Sequence, residues 1–114
     1  MSPVPLSPEE IQRIYQTKTY LLNHLHQKIT VRALSRNAAL QEAKLNEGFV
    51  QLFGMPAGQY LLEARKLLGS FLLQHTDKPI KEVASLSGYR YTKSFMAAMK
   101  KRFGKTALQL RQGR

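Results

Sequence analysis

The segment from residue 91 to residue 103 combines an apolar stripe with a basic face. The stripe has helical spacing and consists of Phe95, Met99 and Phe103. At about 100° per residue, the opposite face of such a helix holds Lys93, Met96, Ala97 and Lys100. Lysine can donate to guanine O6 or N7, threonine can bond to either kind of base, and methionine or alanine can pack on a thymine methyl. We therefore predict base reading by this face and by Thr92, at the end of the helix that would lead into a DNA groove.

A second set of cations is better suited to phosphate groups. Lys78 and Lys81 flank the start of a short helix, where free backbone N–H groups also favour an anion. Asp77 and Glu82 partly offset that charge. The predicted phosphate contacts in this half of the chain are Lys78, Lys81, Arg90, Lys100 and Lys101.

An earlier segment, residues 42–53, has the same pattern with a different charge. Its stripe is Leu45, Phe49 and Phe53, and its outward face holds Ala43, Asn46, Glu47 and Val50. Asparagine can make a bidentate contact to adenine and glutamate can accept from cytosine N4. We therefore predict base reading at these four positions and a phosphate contact at Lys44, with Arg36 nearby. The face has no cation of its own and Glu47 repels phosphate, so the alternatives are weak docking or a partner protein.

Both segments need helices to position them, and helical signals run through almost the whole chain. Ser7-Pro8-Glu9-Glu10 is a capping box with proline at the first helical position. No stretch alternates like a strand. The predicted fold is all-α with about seven helices, at 8–26, 31–38, 42–53, 57–75, from 77–79 to just before 88, 91–103 and a short last helix. Thr30 is expected to cap the second helix and Thr106 the last one. The residues expected in the core include Leu40, Leu67, Leu68, Phe71, Leu72 and Ile80.

An internal repeat relates the two segments. At an offset of 50, Leu45, Phe49, Phe53 and Gly54 recur as Phe95, Met99, Phe103 and Gly104. At an offset of 49, Val31, Leu34, Ser35 and Ala39 recur as Ile80, Val83, Ala84 and Gly88. Each half is therefore a short helix, a tight turn and a longer helix, which is the outline of a helix-turn-helix unit. Gly88 suits a left-handed turn position and Ala39 does not, so the first turn either differs or is mildly strained.

The predicted organisation is two helix-turn-helix subdomains joined by a long linker helix. Its parts are an N-terminal segment with a leading helix (1–27), the first unit (28–56), the linker helix (57–76) and the second unit with the C-terminal helix (77–114). A helix of about nineteen residues is roughly 29 Å long at 1.5 Å per residue. Two recognition helices joined by it could reach successive major grooves, about 34 Å apart. The alternatives are that one unit docks at a time or that the DNA bends to admit both.

Composition narrows the function classes. The chain of 114 residues carries 18 Lys and Arg against 7 Asp and Glu, and a net charge of +11 favours a polyanionic partner. Residues 1–57 hold six basic and four acidic residues, whereas residues 58–114 hold twelve and three, so we expect the second unit to anchor the complex. The chain has no cysteine, which excludes disulfides and thiolate zinc sites. No apolar run is long enough to cross a membrane.

Catalysis and other binding classes have little support. No metalloprotease, serine hydrolase or phosphate-loop motif occurs, and His24 and His26 point about 200° apart on a helix. We therefore predict no enzyme, no cofactor and no metal site. The basic residues are spread over several short helices, unlike a membrane-surface helix, and Tyr91 is the one aromatic expected to be exposed near them for RNA stacking. Duplex DNA is preferred, and the alternative is a protein-interaction or non-specific polyanion-binding helical module.

The order of residues in the second unit is specific. It reads Ile80-Lys-Glu-Val83-Ala84, then Gly88-Tyr89, Phe95, Met99-Lys100-Lys-Arg-Phe103-Gly104 and Leu110-Arg111. This order resembles the pattern I-x-x-I-A, G-F, F-x-x-x-F-K-x-x-F-G, P and Y-R of the DNA-binding domain of AraC/XylS-type transcription regulators. The departures are Tyr89, Met99, Ala107 and Leu110, where the family has Phe, Phe, Pro and Tyr. The first unit matches through Leu34, Leu45, Phe49, Phe53-Gly54, Tyr60-Leu61 and Arg65, with Ser35 and Ala39 in place of the usual Ala and Gly.

The resemblance covers about residues 28–112 and carries several expectations. It assigns base contacts to Thr92, Lys93, Met96 and Ala97. It implies a bacterial, cytoplasmic and nucleoid-associated transcription regulator, more often an activator, with double-stranded DNA and RNA polymerase as partners, no membrane and no cofactor needed to bind DNA. Many family members carry a separate sensor domain. The leading helix and an end right after Arg111 favour a C-terminal fragment of a longer regulator over a small standalone one.

Overall fold

A computed structural model of the chain describes residues 5–113. This part of the chain contains seven α-helices and no strand. The helices are α1 (Pro8–Asn23), α2 (Val31–Ala38), α3 (Glu42–Phe53), α4 (Ala57–His75), α5 (Ile80–Leu86), α6 (Thr92–Phe103) and α7 (Ala107–Gln112). The prediction of an all-α fold is confirmed. Within the described range, no helix is both long and apolar enough to cross a membrane.

The helices are distributed over two compact units. Unit 1 comprises the residues up to His24 together with Ile29–Leu62, and unit 2 comprises Leu25–Lys28 together with the residues from Glu63 onward. Helix α4 is shared, because the chain passes from unit 1 to unit 2 within it. Each unit therefore contains one short helix followed by one twelve-residue helix, α2–α3 in unit 1 and α5–α6 in unit 2.

Hydroxyl side chains begin three of the helices, as the sequence predicts. Ser7 accepts a hydrogen bond from the Glu10 N–H while the Glu10 carboxylate accepts from the Ser7 N–H, and Thr106 makes the same reciprocal pair with Gln109. Thr30 accepts from the Ala33 N–H at the start of α2. Such caps satisfy backbone donors that a helix cannot bond internally, and each contributes about 1 kcal/mol.

The predicted end of α1 near His26 is wrong, because the helix ends at Asn23. The carbonyl oxygens of the residues that follow are used elsewhere. Arg65 donates from Nε to the Leu25 oxygen at 3.2 Å and from Nη2 to the Gln27 oxygen at 2.8 Å. Since these bonds join residues about forty positions apart, a local periodicity cannot reveal them. They fix the segment that leads into α2 in a non-helical path within unit 2.

The core of unit 1 lies under the apolar faces of α1, α2 and α3. Its fully buried members include Ile14, Leu21, Leu34, Leu45 and Phe49. The Phe49 ring lies edge-on to two other rings, with centroids 5.0 Å from Phe53 and 5.5 Å from Tyr60. Burying a side chain of this size contributes about 1.5–3 kcal/mol, and edge-to-face ring contacts add about 0.5–1.5 kcal/mol each. The stripe predicted for α3 is thus the face that holds this helix in unit 1.

The core of unit 2 is built around one face of α6. Buried residues of this cluster are Leu73, Val83, Ala84, Phe95, Met99, Ala107 and Leu110. Gly69 of α4 lies directly under the Phe95 ring, where a Cβ would come within 2.5 Å of a ring carbon. Arg111 fastens α7 by donating to three main-chain oxygens, those of Leu73, Thr76 and Lys78. The position of α6 in unit 2 is therefore fixed by packing and by α7.

Two residues predicted for the core are exposed instead. Leu67 is 50% exposed and Phe71 is 55% exposed, whereas Leu40, Leu68, Leu72 and Ile80 are half-buried. Helix α4 carries apolar side chains around most of its circumference, so the pattern does not select one face. The face that is buried in unit 2 includes Gly69 and Leu73. The absence of a side chain at Gly69 lets Phe95 and Met99 of α6 approach α4 closely.

Candidate nucleic-acid interface

The turn between α2 and α3 and the turn between α5 and α6 have the same backbone hydrogen bonds. In unit 1 the Leu40 N–H donates to the Ser35 oxygen at 3.0 Å, and in unit 2 the Tyr89 N–H donates to the Ala84 oxygen at 2.9 Å. Each pair of residues is related by the offset of 49 seen in the sequence.

In both turns, the residue just before the N–H donor has a left-handed backbone conformation. Ala39 has φ 54° and Gly88 has φ 88°. Each of them donates its N–H at 3.1 Å to a carbonyl three residues earlier. The predicted strain at Ala39 is therefore present, because alanine occupies a conformation that favours glycine. The two helix-turn-helix motifs of the prediction are confirmed.

Helix α6 leaves three of its four predicted base-reading residues exposed. Phe95 and Met99 are fully buried, whereas Lys93, Met96 and Ala97 are exposed. Met96 lies three residues before Met99, so it is at the edge of the buried stripe and not opposite it as predicted. Thr92 is half-buried at the first position of the helix. The packing of Phe95 and Met99 fixes the rotation of α6 and leaves Lys93, Met96 and Ala97 accessible to a partner.

The cations predicted to meet phosphate in unit 2 are accessible to solvent. Lys81, Arg90 and Lys101 are exposed. Lys100 is exposed and donates from Nζ to the Gly104 oxygen at 3.3 Å. Lys78 is 3.4 Å from the Glu82 carboxylate, so part of its charge is compensated, as the sequence suggested. An exposed pair of this kind contributes little to stability and leaves the lysine able to exchange partners.

The recognition helix of unit 2 is held to α4 by an ion pair that the sequence did not reveal. Arg102 donates from Nη2 at 2.6 Å and from Nε at 2.7 Å to the same carboxylate oxygen of Glu63. These hydrogen bonds hold the pKa of the Glu63 carboxyl below its ordinary value. The two residues are 39 positions apart, so local sequence patterns could not suggest the pair. It depends on the packing of α6 beside α4.

The corresponding face of unit 1 differs in one predicted residue. Ala43 and Val50 are exposed and Glu47 is half-buried on α3. Asn46 is half-buried, and its Oδ1 accepts a hydrogen bond from the Ala57 N–H at 3.2 Å. A bidentate contact to adenine needs that oxygen as the acceptor for N6–H. In this structure Asn46 instead caps the first turn of α4, which begins at Ala57.

Lys44, the cation predicted to meet phosphate in unit 1, is also engaged internally. Its Nζ lies 3.2 Å from Glu10 and 3.5 Å from the Pro5 oxygen. The pKa of the Glu10 carboxyl lies below its ordinary value, because the Ser7 backbone N–H and Lys44 both donate to it. The recognition face of unit 1 thus has less free positive charge than the α6 face.

Charge is divided unequally between the two units. Unit 1 contains five basic and four acidic residues, whereas unit 2 contains thirteen and three. A summed positive charge of this size raises the local concentration of a polyanion and speeds its association. No group of acidic or histidine side chains in residues 5–113 has the arrangement of a metal site.

Two helix-turn-helix motifs, each with an accessible second helix, and a strongly basic unit 2 are the features of a helix-turn-helix DNA-binding protein. Comparison with known families agrees with this class. A family described as "Helix-turn-helix domain" matches residues 34–113. The chain belongs to this family and is an AraC-type DNA-binding domain of the kind found in transcriptional regulators. The family is one of DNA-binding regulators and not of enzymes, which confirms that prediction.

Two relatives and one solved structure illustrate the similarity. The probable transcriptional regulator LumQ of Photobacterium leiognathi is 33% identical over 85 residues, which cover 75% of this chain and 34% of LumQ. The HTH-type transcriptional activator RhaS of Enterobacter sp. (strain 638) is 24% identical over 102 residues, which cover 90% of this chain and 37% of RhaS. The chain thus spans about a third of the length of these curated relatives.

The solved structure is the DNA-binding domain of the global transcriptional factor AdpA in complex with a target DNA. Its TM-score to this chain is 0.82 at 24% sequence identity, and the match covers 89% of this chain and 91% of the AdpA domain. This likeness confirms the fold.

Proposed function

We propose that the chain binds double-stranded DNA in a sequence-specific manner by placing its recognition helices in the major groove. The observation that carries this proposal is the α6 surface, where Lys93, Met96 and Ala97 are exposed and Thr92 is half-buried at the first helical position. A helix of this width fits the major groove, and these side chains can distinguish base pairs there. The DNA complex of AdpA supports the choice of partner.

In unit 2 the proposed roles divide between base edges and phosphates. Lys93 donates to a guanine, Thr92 bonds to a neighbouring base, and Met96 and Ala97 contact a thymine methyl. The phosphate contacts come from the exposed cations of the same unit, Lys78, Lys81, Arg90, Lys100 and Lys101. Phosphate contacts supply affinity that depends on salt, whereas base contacts supply specificity.

In unit 1 the proposed contacts are fewer. Glu47 accepts from a cytosine N4 amine, and Ala43 and Val50 provide apolar contacts. Asn46 already accepts one hydrogen bond from Ala57 at its side-chain oxygen, which ties the amide to α4 and makes a bidentate contact to adenine less favourable. Lys44 must leave Glu10 before it can meet a phosphate. We therefore expect unit 2 to anchor the complex and unit 1 to add a smaller share of affinity.

Regulation of transcription, more often activation, is the role that we propose for the whole protein. The names of RhaS and LumQ support it, and RNA polymerase is the expected protein partner in a bacterial nucleoid. A separate sensor domain elsewhere in a longer protein is proposed on the same grounds, because the relatives are about three times as long as the matched region.

Selection of bound duplexes from a random DNA library at about 0.15 M salt tests the proposal. Two short boxes about one helical turn apart are expected if both units read DNA from one chain. A single box would mean that unit 1 is an accessory surface or a partner-binding surface. Tight and steeply salt-dependent binding without an enriched motif would contradict sequence-specific recognition. No binding at all would favour the protein-interaction alternative.

A further inference from the structure

The residue just before α6 is the most exposed large apolar or aromatic side chain of the described chain. Tyr91 is 60% exposed, although it lies between the buried core residue Phe95 and the half-buried Tyr89. The Arg90 guanidinium lies 5.4 Å from the centre of the Tyr91 ring. A tyrosine of this kind presents a broad apolar ring, a phenol donor and a neighbouring cation to the same side of the molecule.

The side chain of Tyr91 does not cap the helix that it precedes. It occupies the N-cap position of α6 with extended backbone, and its side chain makes no capping hydrogen bond. The helices α1, α2 and α7 begin with the hydroxyl caps Ser7, Thr30 and Thr106. A hydroxyl residue at position 91 would stabilise α6 more than tyrosine does. The fold therefore offers no account of an exposed tyrosine at this place.

We propose that Tyr91 is a DNA-contacting residue that grips the sugar–phosphate backbone at the edge of the groove entered by α6. The ring packs on a deoxyribose, the phenol O–H donates to a phosphate oxygen, and the ring holds Arg90 beside the same strand. This inference rests on the proposed function, and it adds a neutral contact to the cations already assigned. A hydrogen bond to a charged oxygen in a partly desolvated site is stronger than one between neutral groups.

The surrounding charge favours an anionic partner over an apolar or basic surface, and the neighbouring base-reading residues make a nucleic-acid backbone the partner that we propose. No acidic residue follows Glu82 in the sequence, so residues 83–114 contribute positive charge alone. Thr92 and Lys93, the first residues of the proposed base-reading surface, come directly after Tyr91 in the chain. A ring next to this surface meets the strand that borders the groove when α6 is inserted.

Tyr91→Ser separates the proposed contact from any role in folding. Serine restores a helix cap, so the thermal midpoint of the variant is expected to rise, while its affinity for the selected duplex is expected to fall about tenfold. The loss should be equal on the selected duplex and on random duplex, because a backbone contact carries no sequence information. Tyr91→Phe keeps the ring and removes only the phenol donor, and it should weaken binding about threefold with an unchanged salt slope.

Tyr20→Phe is the matched control, since Tyr20 is also an exposed tyrosine but lies on α1, where it stacks on His24. Its affinity should equal that of the wild type. The inference is overturned if wild-type protein selects a motif and Tyr91→Ser binds that motif as tightly as the wild type. Failure of the wild type to select or bind any duplex would instead overturn the proposed function itself, and with it the contact.

Discussion

Ala39→Gly should stabilise the protein, because Ala39 is the one described residue other than glycine with a positive φ. Its backbone lies at φ 54° and ψ 41°, at the C-terminal end of α2. This left-handed conformation costs a residue with a Cβ about 1–2 kcal/mol. Glycine removes that cost but gains about 0.5–1 kcal/mol of freedom in the unfolded state. The expected net stabilisation is about 0.5–1 kcal/mol, because the exposed methyl of Ala39 contributes little packing.

Urea unfolding followed by far-ultraviolet circular dichroism measures this change. With a denaturant slope of about 1.5 kcal/mol per molar, the midpoint should rise by roughly 0.3–0.7 M. Gly54 and Gly104 serve as controls for the opposite substitution. They end α3 and α6 with φ of 85° and 71°, and an added Cβ would meet no atom within 4 Å at either position. Gly54→Ala and Gly104→Ala should each lower the midpoint by a similar amount. If Ala39→Gly lowered the midpoint as they do, the left-handed turn at Ala39 would be refuted.

Three further predictions follow from single contacts. Ser87→Ala should stabilise by about 1 kcal/mol in the same unfolding assay, because the Ser87 hydroxyl is fully buried with no hydrogen-bond partner among the described residues; destabilisation would show that the hydroxyl is bonded. Glu63→Gln should cost more stability at pH 7 than at pH 3, because Arg102 lowers the pKa of Glu63 from its ordinary 4.5. The stability that this pair contributes is present above pH 4.5 and is lost as the pH falls through the folded-state pKa. Equal costs at the two pH values would contradict the pair. Glu47→Ala should change the selected DNA sequence while binding to random duplex stays level or tightens slightly, and a large loss on random duplex would contradict a base-reading role.

The periodicity and the caps predicted the helices well, because both are local properties. Ser7, Thr30 and Thr106 each cap the helix that the sequence assigned to them. The internal repeat added the tertiary information, since two copies of one pattern with the same turn require two copies of one motif. In this repeat Ser87 corresponds to Ala38 at the offset of 49, so the buried hydroxyl of unit 2 has no counterpart in unit 1.

Long-range side-chain bonds escaped the sequence analysis. Arg65 donates to the main-chain oxygens of Leu25 and Gln27, about forty positions earlier in the chain. Asn46 was predicted to face outward, and it caps α4 through Ala57. A signal for the second bond did exist, because α4 begins after a proline with no capping hydroxyl, whereas Thr106 caps the helix at the equivalent place in the repeat.

Exposure along α4 could not be predicted either. Periodicity identifies a buried face only when the other faces are polar, and α4 is apolar around most of its circumference. Leu67 and Phe71 fit the helical spacing of a core stripe and are nevertheless exposed. The face buried in unit 2 is selected by the close approach of Phe95 to Gly69, which depends on the tertiary placement of α6.

The central claim is that α6 reads a base through Lys93, and a protein–DNA mutant cycle tests it most directly. Affinities of the wild type and of Lys93→Ala are measured by fluorescence anisotropy at about 0.15 M salt, on the selected duplex and on duplexes changed at one base pair each. Lys93→Ala should lose about 1–3 kcal/mol of binding free energy on the selected duplex. It should also lose its preference among base pairs at one position and keep it at the others. Lys100→Ala, the phosphate control, should weaken every duplex alike and make the salt slope shallower by about 1. Equal losses on every duplex for Lys93→Ala would contradict base reading by α6.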